Sequence, residues 1–129
     1  MKEEKKLKRF AIAYNAQIPD SHTIADQVRD FLEERGADVL SVSSINDEVL
    51  LPCMDPRKTD ALIVLGGDGT MLRASHLCSA PAIPIVGINL GTMGFLIELQ
   101  PDHWQKFLPK LLSGEYRREK RMMLRVKHI

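Results

Sequence analysis

Residues 60–65 run Asp-Ala-Leu-Ile-Val-Leu and pass directly into Gly66-Gly67-Asp68-Gly69-Thr70. This junction constrains the fold more than any other part of the chain. An apolar run with no polar alternation predicts a strand buried on both faces, as in a parallel sheet covered by helices on either side. Glycines immediately after it predict a sharp exit from the sheet.

The flanking segments agree. Lys8 to Tyr14 alternates, with Phe10, Ile12 and Tyr14 on one side and Ala11 and Ala13 on the other, which predicts a first strand. Ser21 is placed to cap a helix running to about Arg35, with Ile24, Val28, Phe31 and Leu32 on one face and Gly36 as its stop. Ala37 to Val42 reads as a second strand, and residues 43–59 as loop with room for a short helix. Asp60 to Leu65 is the third strand, Thr70 to Cys78 a helix, and Ile83 to Ile88 a fourth strand, apolar apart from its proline and glycine. Pro101 to Leu112 reads as a helix with Trp104, Phe107, Leu108, Leu111 and Leu112 inward. The order predicts an α/β fold: a wound, mainly parallel sheet flanked by helices. Ligands in such sheets sit beyond the carboxyl ends of the strands.

Two glycine-rich segments occupy that position. In Gly66-Gly67-Asp68-Gly69-Thr70, glycine can adopt positive φ and presents no side chain to fend off a ligand. Backbone N–H groups and the following helix N-terminus would make a phosphate-binding concavity. Asp68 would repel a phosphate that shared the whole loop. It fits better facing a hydroxyl about to be phosphorylated, or a divalent cation. A Walker loop is excluded because no Lys follows Gly69, and a dinucleotide fingerprint because Leu72 stands at its third glycine position. A tight strand-to-helix turn with an Asp cap remains the alternative. The second segment, Gly87-Ile88-Asn89-Leu90-Gly91-Thr92-Met93-Gly94-Phe95-Leu96, offers Asn89 to a polar ligand edge, Gly91 and Gly94 for close backbone approach, and Phe95 to a base. Its alternative is a bend with Phe95 and Leu96 in the core. Adjacent parallel strands would bring both segments to one rim.

Composition removes several function classes. A chain of 129 residues, 44% hydrophobic and 27% charged, suits one globular domain. Net charge is +1, but residues 1–9 and 114–129 are basic and the stretch between them is acidic. An acidic middle argues against a nucleic-acid partner. Cys53 and Cys78 form no metal or redox motif, and His22, His76, His103 and His128 have no ligand spacing. No signal peptide or membrane span is visible, so no membrane association and a cytoplasmic location are expected. Residues 1–8 read as a basic tail, 9–116 as an α/β nucleotide-binding domain, and 117–129 as the start of a second domain whose remainder is missing.

Together the two glycine motifs, the first continuing Met71-Leu72-Arg73-Ala74, resemble the N-terminal half of NAD kinases. The first motif is shared with diacylglycerol and sphingosine kinases, and more loosely with phosphofructokinases. Those lipid kinases continue with an Asn-Glu-Val type segment, which Met71-Leu72-Arg73 replaces here. The Gly-Phe-Leu ending of the second motif is the NAD kinase feature. The resemblance implies transfer of a phosphoryl group from ATP or polyphosphate to the 2′-hydroxyl of the adenosine ribose of NAD, giving NADP. It implies a divalent metal ion, Mg2+, and a homo-oligomeric full-length protein. Asp68 takes the role of base for the hydroxyl. Gly66, Gly67, Gly69, Thr70, Leu72, Asn89 and Gly91 join Asp68 in nucleotide binding, with Arg73 near the phosphates and Phe95 lining the adenosine pocket. No residue is assigned as a metal ligand by spacing. NAD kinases continue into a β-rich domain supplying an Asn-Glu/Asp pair that this chain does not show, so weak or no activity is expected of it in isolation. A lipid kinase half and a non-catalytic nucleotide-binding module are the competing readings. A receiver domain is disfavoured, because Tyr14-Asn15 gives no acidic pair after the first strand.

Overall fold

The computed structural model describes residues 6–78, 83–90, 104–118 and 124–126. Four strands form one parallel sheet: β1 (Arg9–Tyr14), β2 (Asp38–Ser44), β3 (Ala61–Gly66) and β4 (Ile85–Asn89), in the order β2-β1-β3-β4. Among the described residues four helices accompany them: α1 (Ser21–Glu34), α2 (Leu50–Cys53), α3 (Asp68–Cys78) and α4 (Trp104–Ser113). Tyr116–Arg118 (β5) and Leu124–Val126 (β6) pair antiparallel as a separate ribbon.

The sheet is the middle of three layers, and the alternation of side chains along each strand makes it so. Phe10, Ile12, Ala61, Ile63, Leu65, Val86 and Ile88 turn to one face and pack with Ala25, Val28 and Leu32 of α1 and Trp104, Leu108 and Leu111 of α4. Ala11, Ala13, Leu62, Val64 and Ile85 turn to the other and pack with Leu50 of α2 and Met71 and Ala74 of α3. Every residue of β3 is buried, as its unbroken apolar run requires. Each large aliphatic side chain removed from water this way contributes about 1.5–3 kcal/mol. Small Ala11 and Ala13 leave room for the second layer.

The helix stops follow backbone chemistry. Gly36, at φ 86, lets its own N–H reach the Glu33 carbonyl (3.1 Å) and the Ala37 N–H reach the Leu32 carbonyl (3.0 Å). That pair of bonds satisfies the last carbonyls of α1, and Ala37 and Leu32 share one core. Gly114, at φ 87, does the same for α4, where the Glu115 N–H donates to the Lys110 carbonyl (2.8 Å). On the α1–α4 side, Phe31 meets Trp104 edge to face at 5.3 Å, and the Arg35 guanidinium lies 3.5 Å above the Phe31 ring.

The start of α1 differs from expectation. Ser21 is the first helical residue rather than the cap, and the N-cap residue is Asp20, with φ 66 and no capping hydrogen bond from its side chain. A capping serine or aspartate contributes about 1 kcal/mol. Here the Ser21 hydroxyl donates to the Asn15 carbonyl instead, at 2.8 Å.

Candidate functional site

Strand order locates the site. β1 lies between β2 and β3, so the direction of winding reverses between β1 and β3. Leaving β1 the chain enters α1 on one face, and leaving β3 it enters α3 on the other. A crevice opens where two neighbouring strands send their loops to opposite faces. Its walls are the turn 15–20 and the loop 66–70.

Hydrogen bonds extend the sheet ladder past the strand ends and tie these loops together. The Asn15 N–H donates to the Leu65 carbonyl (2.9 Å), and the Leu90 N–H donates to the Gly66 carbonyl (3.2 Å). Tyr14 pairs with Leu65 and Gly66 with Asn89. The base of the second glycine segment is thus beside the first, at the same rim, as the sequence led us to expect. Gly91 and Phe95, with the rest of 91–96, lie outside the described residues.

The first loop is built differently from the sequence expectation in three respects. The helix begins at Asp68, two residues before Thr70. The Gly67 carbonyl accepts the Met71 N–H at 3.1 Å, the first bond of the helical ladder, so Gly67 stands at the cap and Asp68 in the first turn. Second, Gly66, Gly67 and Gly69 do not use positive φ; among described glycines only Gly36 and Gly114 do. Glycine serves here through the absence of a side chain. A Cβ at Gly66 would lie 2.7 Å from the Thr70 Cβ and 3.0 Å from its Cγ2, an overlap that keeps residue 66 bare. Thr70 is 6% exposed and fills that space. At Gly67 and Gly69 an added Cβ would meet nothing within 4 Å, so those positions are open. Third, Arg73 falls in the second turn of α3 rather than the first, because the helix starts early.

The chemistry available follows from that geometry. The first N–H groups of a helix have no intrahelical partner, and α3 directs its first turn at this rim. Met71 and Ala74 anchor α3 to the sheet, while Leu72, at 55% exposure, and Arg73 face outward. Asn89 ends β4. Gly66, Gly67, Asp68, Gly69, Thr70 and Asn89 are therefore contiguous in backbone, and Leu72 and Arg73 stand on the outer face of the same helix. Among the described residues no three His, Cys, Asp or Glu converge as metal ligands. No helix among them is long and apolar enough to cross a membrane. His22 stacks on Tyr14 at 5.1 Å and approaches Asp26 at 3.6 Å.

Two guanidinium–carboxylate pairs away from this rim carry displaced pKa values. At the amino end of the sheet the Arg9 guanidinium is held above its ordinary value by its hydrogen bond to Asp60. In the loop before β3, Asp55 is held below its ordinary value by Arg57.

The ties that Asn15 and Ser21 make are not legible in the sequence. Asn15 figured only as the absence of an acidic pair, and Ser21 only as a cap. The one signal pointing to them was position: they bracket the turn after β1, which matters only once β1 is known to neighbour β3.

Comparison with known proteins bears on this site. The family model described as the ATP-NAD kinase N-terminal domain matches residues 10–116. The NAD kinase of Syntrophobacter fumaroxidans is 35% identical over 124 residues, covering 93% of this chain and 44% of that protein. The NAD kinase of Methanothermobacter thermautotrophicus is 38% identical over 127 residues, with 93% and 44% covered. The chain thus spans about 44% of the length of these curated relatives. Yeast NADH kinase, solved as a complex with NADH, superposes with a TM-score of 0.69 at 16% identity, covering 90% of this chain and 44% of that one. At that identity the likeness concerns the fold.

Proposed function

The chain belongs to the NAD kinase family, whose N-terminal domain it carries, and from that premise we propose that the whole protein transfers a phosphoryl group from ATP or polyphosphate to the 2′-hydroxyl of the adenosine ribose of NAD, giving NADP. One observation carries the reading: the loop Gly66–Thr70 lies at the reversal of the sheet with its helix N-terminus at the rim and Asn89 paired to Gly66. Phosphoryl transfer asks the protein for positioning and charge neutralisation more than for covalent chemistry. Bare backbone at Gly67 and Gly69 lets a nucleotide approach closely.

In this reading Asp68 accepts the proton of the ribose hydroxyl. The flanking glycines give the hydroxyl access to within about 3 Å of it. Free N–H groups in the first turn of α3 hold phosphate oxygens, and Arg73 supplies positive charge further along the helix. Leu72 offers an apolar surface to a ring, Asn89 contacts the nucleotide from the end of β4, and Gly91 and Phe95 join it, Phe95 lining the adenosine pocket. Mg2+ is commonly held by one or two carboxylates together with the phosphates of its nucleotide, so a full protein cage is not required, and Asp68 would be the carboxylate to contribute. When bound, the ion neutralises charge on the donor phosphates.

The test is Asp68→Asn in the whole protein, followed by NADP formation. Removing the base should lower kcat by a factor of about 10^2–10^4, with the melting temperature little changed. Unchanged turnover would sink the assignment of Asp68.

A further inference from the structure

The turn from β1 into α1 departs from local preference at two adjacent residues. Asp20, the N-cap residue, sits in the left-handed region at φ 66, and its carboxylate forms no capping bond. Ser21, a residue type that ordinarily caps, is 2% exposed and gives its hydroxyl to the Asn15 carbonyl at 2.8 Å. The same carbonyl accepts the Ile18 N–H at 3.0 Å, and the Asn15 side-chain carbonyl accepts the Gln17 N–H at 3.0 Å. The Asn15 N–H reaches the Leu65 carbonyl at 2.9 Å. Leu65 is the residue before Gly66. A continuous set of bonds therefore runs from the buried Ser21 hydroxyl, through the closed turn, to the residue that opens the glycine loop. A chain that gives up a local cap to fix a turn does so where the position of that turn matters.

We infer that Ser21 is a positioning residue for the phosphoryl-transfer site: acting through Asn15 and Leu65, it holds the turn 15–20 as a fixed wall across the crevice from Gly66–Thr70. The inference rests on the functional reading above. Ser21 is buried and touches no substrate; its hydroxyl fixes the spacing between the two walls. Phosphoryl transfer depends on the alignment of hydroxyl, phosphorus and leaving oxygen, so a small displacement of a wall costs rate.

Two variants in the whole protein separate positioning from stability. Ser21→Ala removes the tie. It should lower kcat for NADP formation roughly 10-fold while KM for NAD changes much less. Amide exchange at Asn15 and across 66–68 should accelerate roughly 10-fold. Asp20→Gly relieves the left-handed residue without touching the tie, so it should raise the melting temperature. Should Ser21→Ala alone fold poorly, D20G/S21A supplies the missing stability and must still show the rate loss. A double variant whose kcat returns to the wild-type value would mean Ser21 acts through stability alone and would overturn the inference. So would an active wild type whose kcat and rim exchange survive Ser21→Ala. A wild-type protein that forms no NADP overturns the functional reading and this inference with it.

Discussion

At the amino end of the sheet the Asp60 side chain is 4% exposed, and both of its oxygens accept hydrogen bonds. It accepts the backbone N–H groups of Lys8 (3.0 Å) and Arg9 (2.9 Å) and pairs with the Arg9 guanidinium at 2.8 Å. Arg9 in turn donates to the Arg57 carbonyl. The groove there is lined by Lys6, Lys8, Arg9, Asp38 and Asp60. At the carboxyl end, by contrast, Gly67 and Gly69 are open and the first turn of α3 is directed outward. One carboxylate, Asp60, is spent on closing the fold; on the proposed function the other, Asp68, is the group kept for the substrate. The amino end of the sheet is closed by paired charges and its carboxyl end is open, which is the end where wound α/β sheets bind their ligands.

The largest expected effect would break this contrast outright: if Asp68→Asn reduced stability but spared turnover, the carboxyl end would be structural too. Next in size is Asp60→Ala. It should lower unfolding free energy by about 1–3 kcal/mol, because it strands the Lys8 and Arg9 N–H groups, and leave ligand affinity unchanged. Denaturant midpoints and nucleotide titrations would measure the two halves of that statement.

The two glycines of the loop sharpen the comparison further. Gly66→Ala forces a methyl into Thr70 and should cost about 1–3 kcal/mol by thermal unfolding. Gly67→Ala meets open space, so its stability should shift by less than about 0.5 kcal/mol. Its nucleotide affinity should fall, because the methyl occupies the ligand's side of the loop. Equal stability losses for the two would refute the packing account.

The smallest effect concerns Asp55. Arg57 depresses its pKa, so the stabilisation is present above the ordinary carboxylate range and is lost as pH falls through the depressed folded value. Asp55→Asn should slightly weaken stability at neutral pH and leave it unaltered in strong acid. Acid titration of the unfolding midpoint would show the two curves converging at low pH.

Part of this architecture is legible in the order of residues alone. The run Ala61–Leu65 has to be a doubly buried strand, because no alternation of polarity would let one face meet water. Gly36 stops α1 as expected, because only a residue free of a Cβ takes φ 86 cheaply. The helical faces of 24–32 and 104–112 follow from spacing. The start of α3 does not, since Asp68-Gly69 reads equally well as turn or first helical residues until the Met71 N–H is seen on Gly67. The role of Ser21 is also hidden. Its residue type supports a cap and a buried tie alike, and the choice depends on where the Asn15 carbonyl lies.

The sequence by itself determined the elements, the loop that opens at Gly66 and the family to which its motifs belong, because strand burial, helix stops and glycine motifs are properties of neighbouring residues. Tertiary structure alone decided that β1 lies beside β3, that Asn89 pairs with Gly66, and that Thr70 rather than backbone conformation requires glycine at 66. Those facts depend on contacts between residues far apart in the chain or on atoms meeting in space. Pairing order is set by how the whole core packs, and no local pattern encodes it.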